Sequence, residues 1–471
     1  MSGTRQGARR WWALGFIALA QFMVIMDTSI IGVALPRMQT DLGFSPGGLS
    51  WVFNAYVITL AGLLLLGGRL SDLLGARRVF AAGWAVLLGG SVVAALAGTA
   101  WVELVGRVLQ GAGSALIAPS ALTLLMMLFG NSPKELGRAL SLYGAAAPAG
   151  GTAGVFLGGV ITQWLSWPWV FWLYVPIAAL ALVVTPLLMP AGPRGRGSVD
   201  VVGAGAVTGG LALAVLGVVQ APQVGWGSPR TIGVLAAALV LLGGFVAVQR
   251  TRREPLVRLG ILRTPNLGAA NLAQALLGAA WIPMWYFLNL YLQQVLGYGA
   301  FASGAALLPM TLLIVVLMVG VAPRLIARFG AKALIVGGLL ALAAGLVWLS
   351  FARPTGNFAV DVLPASLVAA LGQALAFIPS LGTAIGSARP EEGGLAAGLV
   401  NTSYQIGSAL GLAAMTAVGV SFGAGSVGHP VALTHGFAAA FLGAAGVAVA
   451  GAVLAAATLR TPRAVAEPAA A

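Results

Sequence analysis

The chain's 471 residues are dominated by apolar stretches of about 20 residues or more. They fall near 11–36, 49–70, 79–98, 102–129, 138–161 and 167–189, then near 200–220 and 231–250. A last group lies near 266–295, 301–323, 332–352, 358–388, 394–423 and 434–458. Each is long enough, as a helix, to cross about 30 Å of hydrocarbon. With 59% hydrophobic and 8% charged residues, the chain has too little charge to cover a water-soluble surface of this size. A membrane barrel would instead show alternating segments of about ten residues. The expected fold is therefore an all-α polytopic membrane protein with 14 transmembrane helices.

The formal net charge of +14 is explained by its distribution. Alternate connections carry Arg5, Arg9 and Arg10; Arg69, Arg77 and Arg78; Lys134 and Arg138; Arg194 and Arg196. The series continues with Arg250, Arg252, Arg253, Arg258 and Arg263, then Arg324, Arg328 and Lys332, Arg389, Arg460 and Arg463. The opposite connections hold only Arg37, Arg230 and Arg353, and Arg107 lies inside a span. Positive loops face the cytoplasm, so both termini are expected there and nucleic-acid binding is excluded. Ala18-Leu19-Ala20 resembles a signal-peptidase site, but apolar sequence continues past it and cleavage would remove a needed span. The chain lacks cysteine, which excludes disulfides and thiolate metal sites. His429 and His435 have no carboxylate partners nearby in sequence, so no metal site is expected, and no cofactor. The excess of Arg over Lys, with abundant Ala and Gly, suggests a bacterial genome rich in G and C. A cell-membrane location follows.

Internal repetition organises the spans. Aligning Gly75 in "GGRLSDLLGARR" with Gly330 in "APRLIARFGAK" pairs Leu70 with Leu325 and Arg77 with Lys332. "LIAPS" (116–120) resembles "AFIPS" (376–380), and Gly150 and Gly154 match Gly407 and Gly411. Similar offsets imply two units of six spans around a two-span insert, an arrangement used by one large transporter class. The expected divisions are a cytoplasmic tail (1–10), a six-helix bundle (11–189), linkers with two inserted helices (190–265), a second six-helix bundle (266–458) and a cytoplasmic tail (459–471).

Three motifs resemble those of the major facilitator superfamily, specifically its fourteen-helix drug:proton antiporter branch, and the resemblance covers nearly the whole chain. Gly68, Leu70, Asp72, Gly75, Arg77 and Arg78 fit a cytoplasmic loop pattern. Arg107, Gln110, Gly111, Gly113 and Ala115 fit the fourth-helix pattern. "MDTSIIGVALP", with Asp27, Thr28, Ala34, Leu35 and Pro36, fits the first-helix signature of that branch. The fifth-helix antiporter pattern is incomplete: "GGTAGVFLGG" keeps its glycines but has Val155 where proline is usual, with Pro148 a little earlier. Trp167-Pro168-Trp169 and Tyr174-Val175-Pro176 also depart from the usual forms. These departures bear on antiport direction.

The resemblance implies that Gly68, Asp72, Gly75, Arg77 and Arg78 form a conformational latch on the cytoplasmic side. It also implies that Gly150, Gly154 and Gly158 pack between the two halves. Their spacing of four places them on one stripe where backbones approach closely. Plain helix packing and topology-fixing charge are the alternatives.

Asp27 poses the central question. A carboxylate within a membrane span costs about 2.5–3.5 kcal/mol on insertion scales, and it is the one acid well inside a span by sequence position. Burial and a nearby cation act on a carboxyl in opposite senses, so such a group suits proton loading on one side and release on the other. Arg107 cannot release a proton; it either tunes that acid or pairs with Glu103, one turn away. Asp27 and Arg107 are thus the proton-coupling candidates.

Aromatic and amide residues supply substrate-binding candidates: Asn54, Tyr56, Gln110, Trp281, Trp285, Asn289, Asn401, Tyr404 and Gln405. Trp and Tyr also anchor helices at interfaces. Residues 281, 285 and 289 share a helical face. This lining suits a small hydrophobic or amphiphilic compound. The expected function is proton-coupled export of such compounds by a monomer working through alternating access. The partners are the small-molecule substrate, protons and the lipid bilayer. The alternative is a metabolite importer or facilitator of the same fold. No nucleophile or metal cluster suggests an enzyme.

Overall fold

Proline and glycine mark where the helices depart from regular geometry or approach one another closely. The structure is a computed structural model describing residues 2–130, 132–192, 200–252, 255, 259–388 and 393–460. Residues 193–199 of the first linker and 253, 254 and 256–258 of the second, with Arg194, Arg196, Arg253 and Arg258, lie outside the described residues, as do Arg389 and Arg463. The first group of helices is α1 (Ser2–Leu42), α2 (Ser50–Leu74), α3 (Ala76–Ala95), α4 (Ala100–Phe129) and α5 (Pro133–Trp164). The short α6 (Trp169–Trp172) leads through Leu173 into α7 (Tyr174–Leu188). The insert is α8 (Val201–Val224) and α9 (Pro229–Thr251). The last group is α10 (Leu267–Leu290), α11 (Ala300–Val316), α12 (Ala322–Phe329), α13 (Ala331–Leu349), α14 (Leu363–Ser387), α15 (Gly393–Gly419) and α16 (Pro430–Thr458).

Among the described residues, thirteen helical stretches are long and apolar enough to cross a membrane, and Ala300–Val316 is a shorter apolar helix. That helix does not stop at Val316. A π turn, Leu317–Val321, carries it into α12. Pro323 explains the wide turn, because proline has no N–H to donate to the helix ladder. Pro364 has the same relation to the π turn Phe358–Val362 ahead of α14.

Glycine contacts show the repeat in three dimensions. A Cβ on Gly83 of α3 would meet the Gly113 carbonyl of α4 at 2.9 Å, and one on Gly338 of α13 would meet the Gly372 carbonyl of α14 at 2.8 Å. On α5, Gly150 lies against the Phe22 carbonyl of α1; on α15, Gly407 lies against the Ala275 carbonyl of α10. Gly75 and Gly330, at the two aligned turns, have φ of 90° and 78°, a region that penalises any side chain. One alignment shifts. Ile117 and Ala376 hold equivalent places against Gly83 and Gly338, so Pro119 corresponds to Ile378, and the two prolines differ by one residue, or about 100° around the helix.

The insert packs through α8, whose Thr208 meets Gly62 of α2 and whose Val219 approaches Gly47. The outer face of α9 is largely exposed. Asp200 ties the pair at one end: it caps α8 at the Gly203 N–H (2.8 Å), accepts from Gln249 (2.7 Å) and lies 3.3 Å from Arg252.

Candidate functional site

The polar core of the first helix group is assembled around Arg107 on α4, which is fully buried. Its Nη1 lies 2.6 Å from Asp27 Oδ1 of α1. Its Nε donates to the Val52 carbonyl of α2 (2.9 Å), and Nη1 donates to Gln110 Oε1 one turn along α4 (2.8 Å). The guanidinium carbon sits 4.7 Å from the Tyr56 ring centre and 5.9 Å from that of Phe171, where cations are attracted to the ring faces. Four elements thus fix one cation beside one acid.

The Asp27–Arg107 contact is a close buried ion pair, and Arg107 is the charge partner of the carboxylate. Such a pair is costly to bury and strongly destabilising to break from one side.

Two substrate-binding candidates prove to be part of this clamp. Gln110 receives Arg107 and donates Nε2 to Ser91 of α3 (2.9 Å). The Tyr56 hydroxyl donates to the Val24 carbonyl (3.1 Å) and shares a hydrogen bond with Ser114 (3.0 Å). Asn54, between Val52 and Tyr56 in sequence, is fully buried with both amide atoms unpartnered among the described residues.

The other candidates lie in the last helix group. Trp285 packs its ring against Gly32 of α1, where a Cβ would meet it at 2.1 Å. Asn289 donates back to the Trp285 carbonyl (3.0 Å), leaving its buried oxygen unpartnered, and Trp281 is 7% exposed on the same helix. Tyr404 stacks edge-on to Phe377 and accepts a long contact from Gln373 (3.5 Å). Gln405 is buried, whereas Asn401 is exposed.

The glycine stripe needs correction. Gly150, Gly154 and Gly158 contact Phe22, Met26 and Ile30 of α1, within the same helix group and not between the two groups. The contact across to α11 is made one residue further round, where Gly159 meets Ala300 and the Val155 carbonyl meets Gly304. A spacing of four defines a face, not what that face meets. In the loop motif, Gly67 is pressed on the Ala115 carbonyl, while a Cβ on Gly68 would meet Pro119 at 3.7 Å. Asp72 and Arg78 are exposed, and Arg77 reaches the Met189 carbonyl at 3.5 Å.

Sequence position hid one residue. Glu103, in the first turn of α4, is fully buried, whereas an acid near a helix start usually reads as a solvated terminal charge. Its four-residue spacing from Arg107 was the available signal. The arginine's partner is nonetheless Asp27, and neither Glu103 oxygen has a hydrogen bond among the described residues.

At the ends of the helices beyond Asp27, Gln293 donates to the Val33 carbonyl (3.1 Å) and Gln294 to Gln39 (3.0 Å). These bonds join α1 to the π turn Tyr291–Val295 that follows α10.

The chain is 39% identical to the cephamycin export protein CmcT of Amycolatopsis lactamdurans, over 94% of this chain and 91% of that one. It is 36% identical to the puromycin resistance protein pur8 of Streptomyces alboniger, over 95% and 91% respectively. Among solved structures, the nucleoside transporter NupG superposes with a TM-score of 0.67 at 14% identity, covering 95% of this chain and 99% of that one. The sequence profile of the Major Facilitator Superfamily matches residues 17–412. On motifs, fold and sequence likeness together, this multi-pass membrane protein belongs to the Major Facilitator Superfamily.

Proposed function

We propose that the chain is a proton-coupled exporter of small hydrophobic or amphiphilic compounds, drugs or natural products, in the drug:proton antiporter branch. A transporter and not an enzyme, it works as a monomer by alternating access in a bacterial cell membrane. The observation that carries this reading is the buried ion pair of Asp27 with Arg107, 2.6 Å apart in the interior of a membrane-spanning bundle. Relatives named for cephamycin export and puromycin resistance support the substrate class.

In this reading α11, its π turn and α12 together make the tenth of fourteen spans. The six-helix bundles are 11–189 and 266–458, the insert is 190–265, and both termini are cytoplasmic. Asp27 carries the proton. Ionised, it holds Arg107; protonated, it lets the guanidinium go, and the pair's attraction no longer fastens α1 to α4. Gln110 and Tyr56 then hold Arg107 in place while Asp27 changes charge. The glycine stripe makes α1 and α5 move as one body, so Asp27 travels with the face that meets α11. Solute contacts come from Trp281, Trp285, Asn289, Tyr404 and Gln405, with Asn54 and Asn401 at the margins. Asp72, with Gly68, Gly75, Arg77 and Arg78, latches the cytoplasmic side. Hydrogen bonds of Gln293 and Gln294 to α1 support an outward-closed conformation.

The energetics are sufficient. One pH unit supplies about 1.4 kcal/mol per proton, and 100 mV adds about 2.3 kcal/mol per charge. Together they sustain a gradient of a neutral solute of roughly 500-fold.

The test is uptake of puromycin, and separately of a fluorescent dye, into everted membrane vesicles. Acidifying the lumen should drive uptake by the wild type, and a proton uncoupler should abolish it. Uptake that ignores the uncoupler, or runs only down the solute gradient, would instead identify a facilitator.

A further inference from the structure

Two glutamates stand in the first turns of long helices, and they are treated differently. Glu135 of α5 is half-exposed and lies 2.6 Å from Arg10. Glu103 of α4 is fully buried, and both its oxygens lack a hydrogen bond among the described residues. Its place near a helix start favours an anion, but capping does not use it: Thr99 accepts from the Val102 N–H.

The surroundings of Glu103 are those of the proposed proton carrier. Arg107 is one turn along the same helix. Its Nε and Nη1 are committed to Val52, Gln110 and Asp27, while its Nη2 is buried without a hydrogen bond. The other titratable groups facing the cluster are Asp27 from α1, Tyr56 from α2 and Tyr174 from α7, the last with an unpartnered buried hydroxyl. From α3 comes only Ser91; that helix's charged residues, Arg77 and Arg78, stand at its opposite end. From α5 no charged residue reaches the cluster, since Glu135 and Arg138 lie at its other end. Arg37 and Asp41, further out on α1, are exposed, and Asp41 accepts from the Trp167 indole (2.8 Å).

Charge counting then decides the issue. Two carboxylates and one guanidinium occupy one buried site, so full ionisation leaves an uncompensated negative charge in a medium of low dielectric, a strongly disfavoured state. One resident proton neutralises the cluster. With Asp27 against Arg107, that proton belongs on Glu103. Along α4, Glu103 lies about 6 Å further outward than Arg107, four residues at about 1.5 Å each.

We propose that Glu103 is a second proton-carrying residue, in series with Asp27 and on its outer side, with Arg107 serving both acids in turn. This rests on the reading of Asp27 as the proton carrier. The neutral Glu103 carboxyl gives its proton to the Asp27 carboxylate, directly or through a water. Glu103 becomes the anion and engages the free Nη2 of Arg107, while Asp27, now neutral, releases Nη1. No other reactant is consumed, and the outer aqueous phase returns the proton to Glu103.

The experiment uses the full-length protein in lipid vesicles, with two readouts. Infrared difference spectra between acid and alkaline buffer count the buried carboxyls that titrate. Puromycin transport driven by a proton gradient is compared with puromycin exchange at zero gradient. The wild type should show two titrating carboxyl bands, and Glu103→Gln and Asp27→Asn should each remove a different one. Glu103→Gln should slow gradient-driven transport about tenfold or more, the low end of what proton-transfer groups contribute, and spare exchange. Glu103→Asp should restore most of the driven rate with a shifted band, which also controls for misfolding of the glutamine variant. An unchanged spectrum in Glu103→Gln overturns the inference, and so does a lost band with undiminished driven transport. If Asp27→Asn keeps full driven transport, it is the Asp27 reading that falls, and the Glu103 band still reports independently on whether that acid titrates.

Discussion

The first helix group and the last are built on the same contacts but differ in charge. Gly150 on Phe22 and Gly407 on Ala275 fix equivalent registers of α5 on α1 and α15 on α10; Gly113 and Gly372 do the same for α4 and α14. Carried along those registers, Asp27 corresponds to Ala280, Glu103 to Val362 and Arg107 to Ser366. The first group therefore buries two acids and a cation where the last has small or apolar side chains. The last group uses neutral amides and hydroxyls between its helices, as in Gln373 with Tyr404 and Asn271 with Ser403, and its buried Asp361, ahead of α14, pairs with the exposed Arg353. Backbone approach sets the architecture twice, while the chemistry is placed once. A transporter built this way can give proton handling to one bundle and adaptable solute contacts to the other.

The largest way to break this asymmetry is Asp27→Asn, which should abolish uncoupler-sensitive efflux. Ser366→Ala, at the arginine-equivalent position, should leave it near wild type. Export surviving in Asp27→Asn would move the coupling elsewhere. Next, Arg107→Ala strands two acids in the interior and should destabilise by about 3–5 kcal/mol. Loss of the Ser366 hydroxyl, which donates only to the Leu363 carbonyl, should cost about 1 kcal/mol. Thermal unfolding in detergent compares the two, and similar midpoint shifts would show that the charges contribute nothing special to packing.

Glycine substitutions probe what the bundles share. Gly150→Val and Gly407→Val each drive a side chain into a carbonyl and should destabilise by about 1–3 kcal/mol apiece. A large effect in one bundle alone would contradict their equivalence. Gly67→Ala should likewise be unfavourable against Ala115, whereas Gly68→Ala has room and should stabilise α2 by about 0.5–1 kcal/mol. The smallest effect sharpens the comparison at the cytoplasmic turns. Asp72→Ala should lower turnover a few-fold with apparent affinity for the exported compound unchanged. The corresponding turn carries Ala327 in the acid's place, so a pure affinity loss would argue against a latch.

Much of this was legible before any coordinates. Apolar run length marked the helices, and Gly75 with Gly330 marked the matching turns. The isolated carboxyl at Asp27 marked one partner of the buried ion pair. Where sequence reasoning went astray, direction was at stake. The stripe at 150, 154 and 158 is a real face, but it meets α1; Gly159, about 100° round, meets α11. Gln110 and Tyr56 are polar residues in a motif-rich region, yet their atoms are engaged by Arg107, Ser91 and Val24. Glu103 sits near a helix end by count and is sealed by neighbours from other helices.

By itself, then, the sequence determined that the chain is helical and membrane-spanning, which loops are basic, and that the pattern repeats, because hydropathy, charge and glycine spacing are local properties of a chain. Only the tertiary structure decided that Asp27 faces Arg107 with Glu103 enclosed beside them, and that the insert leans on α2. Those outcomes depend on how each helix is rotated and how deep it sits against its neighbours. Rotation and depth follow from the sum of many packing contacts across the chain, and no single segment encodes them.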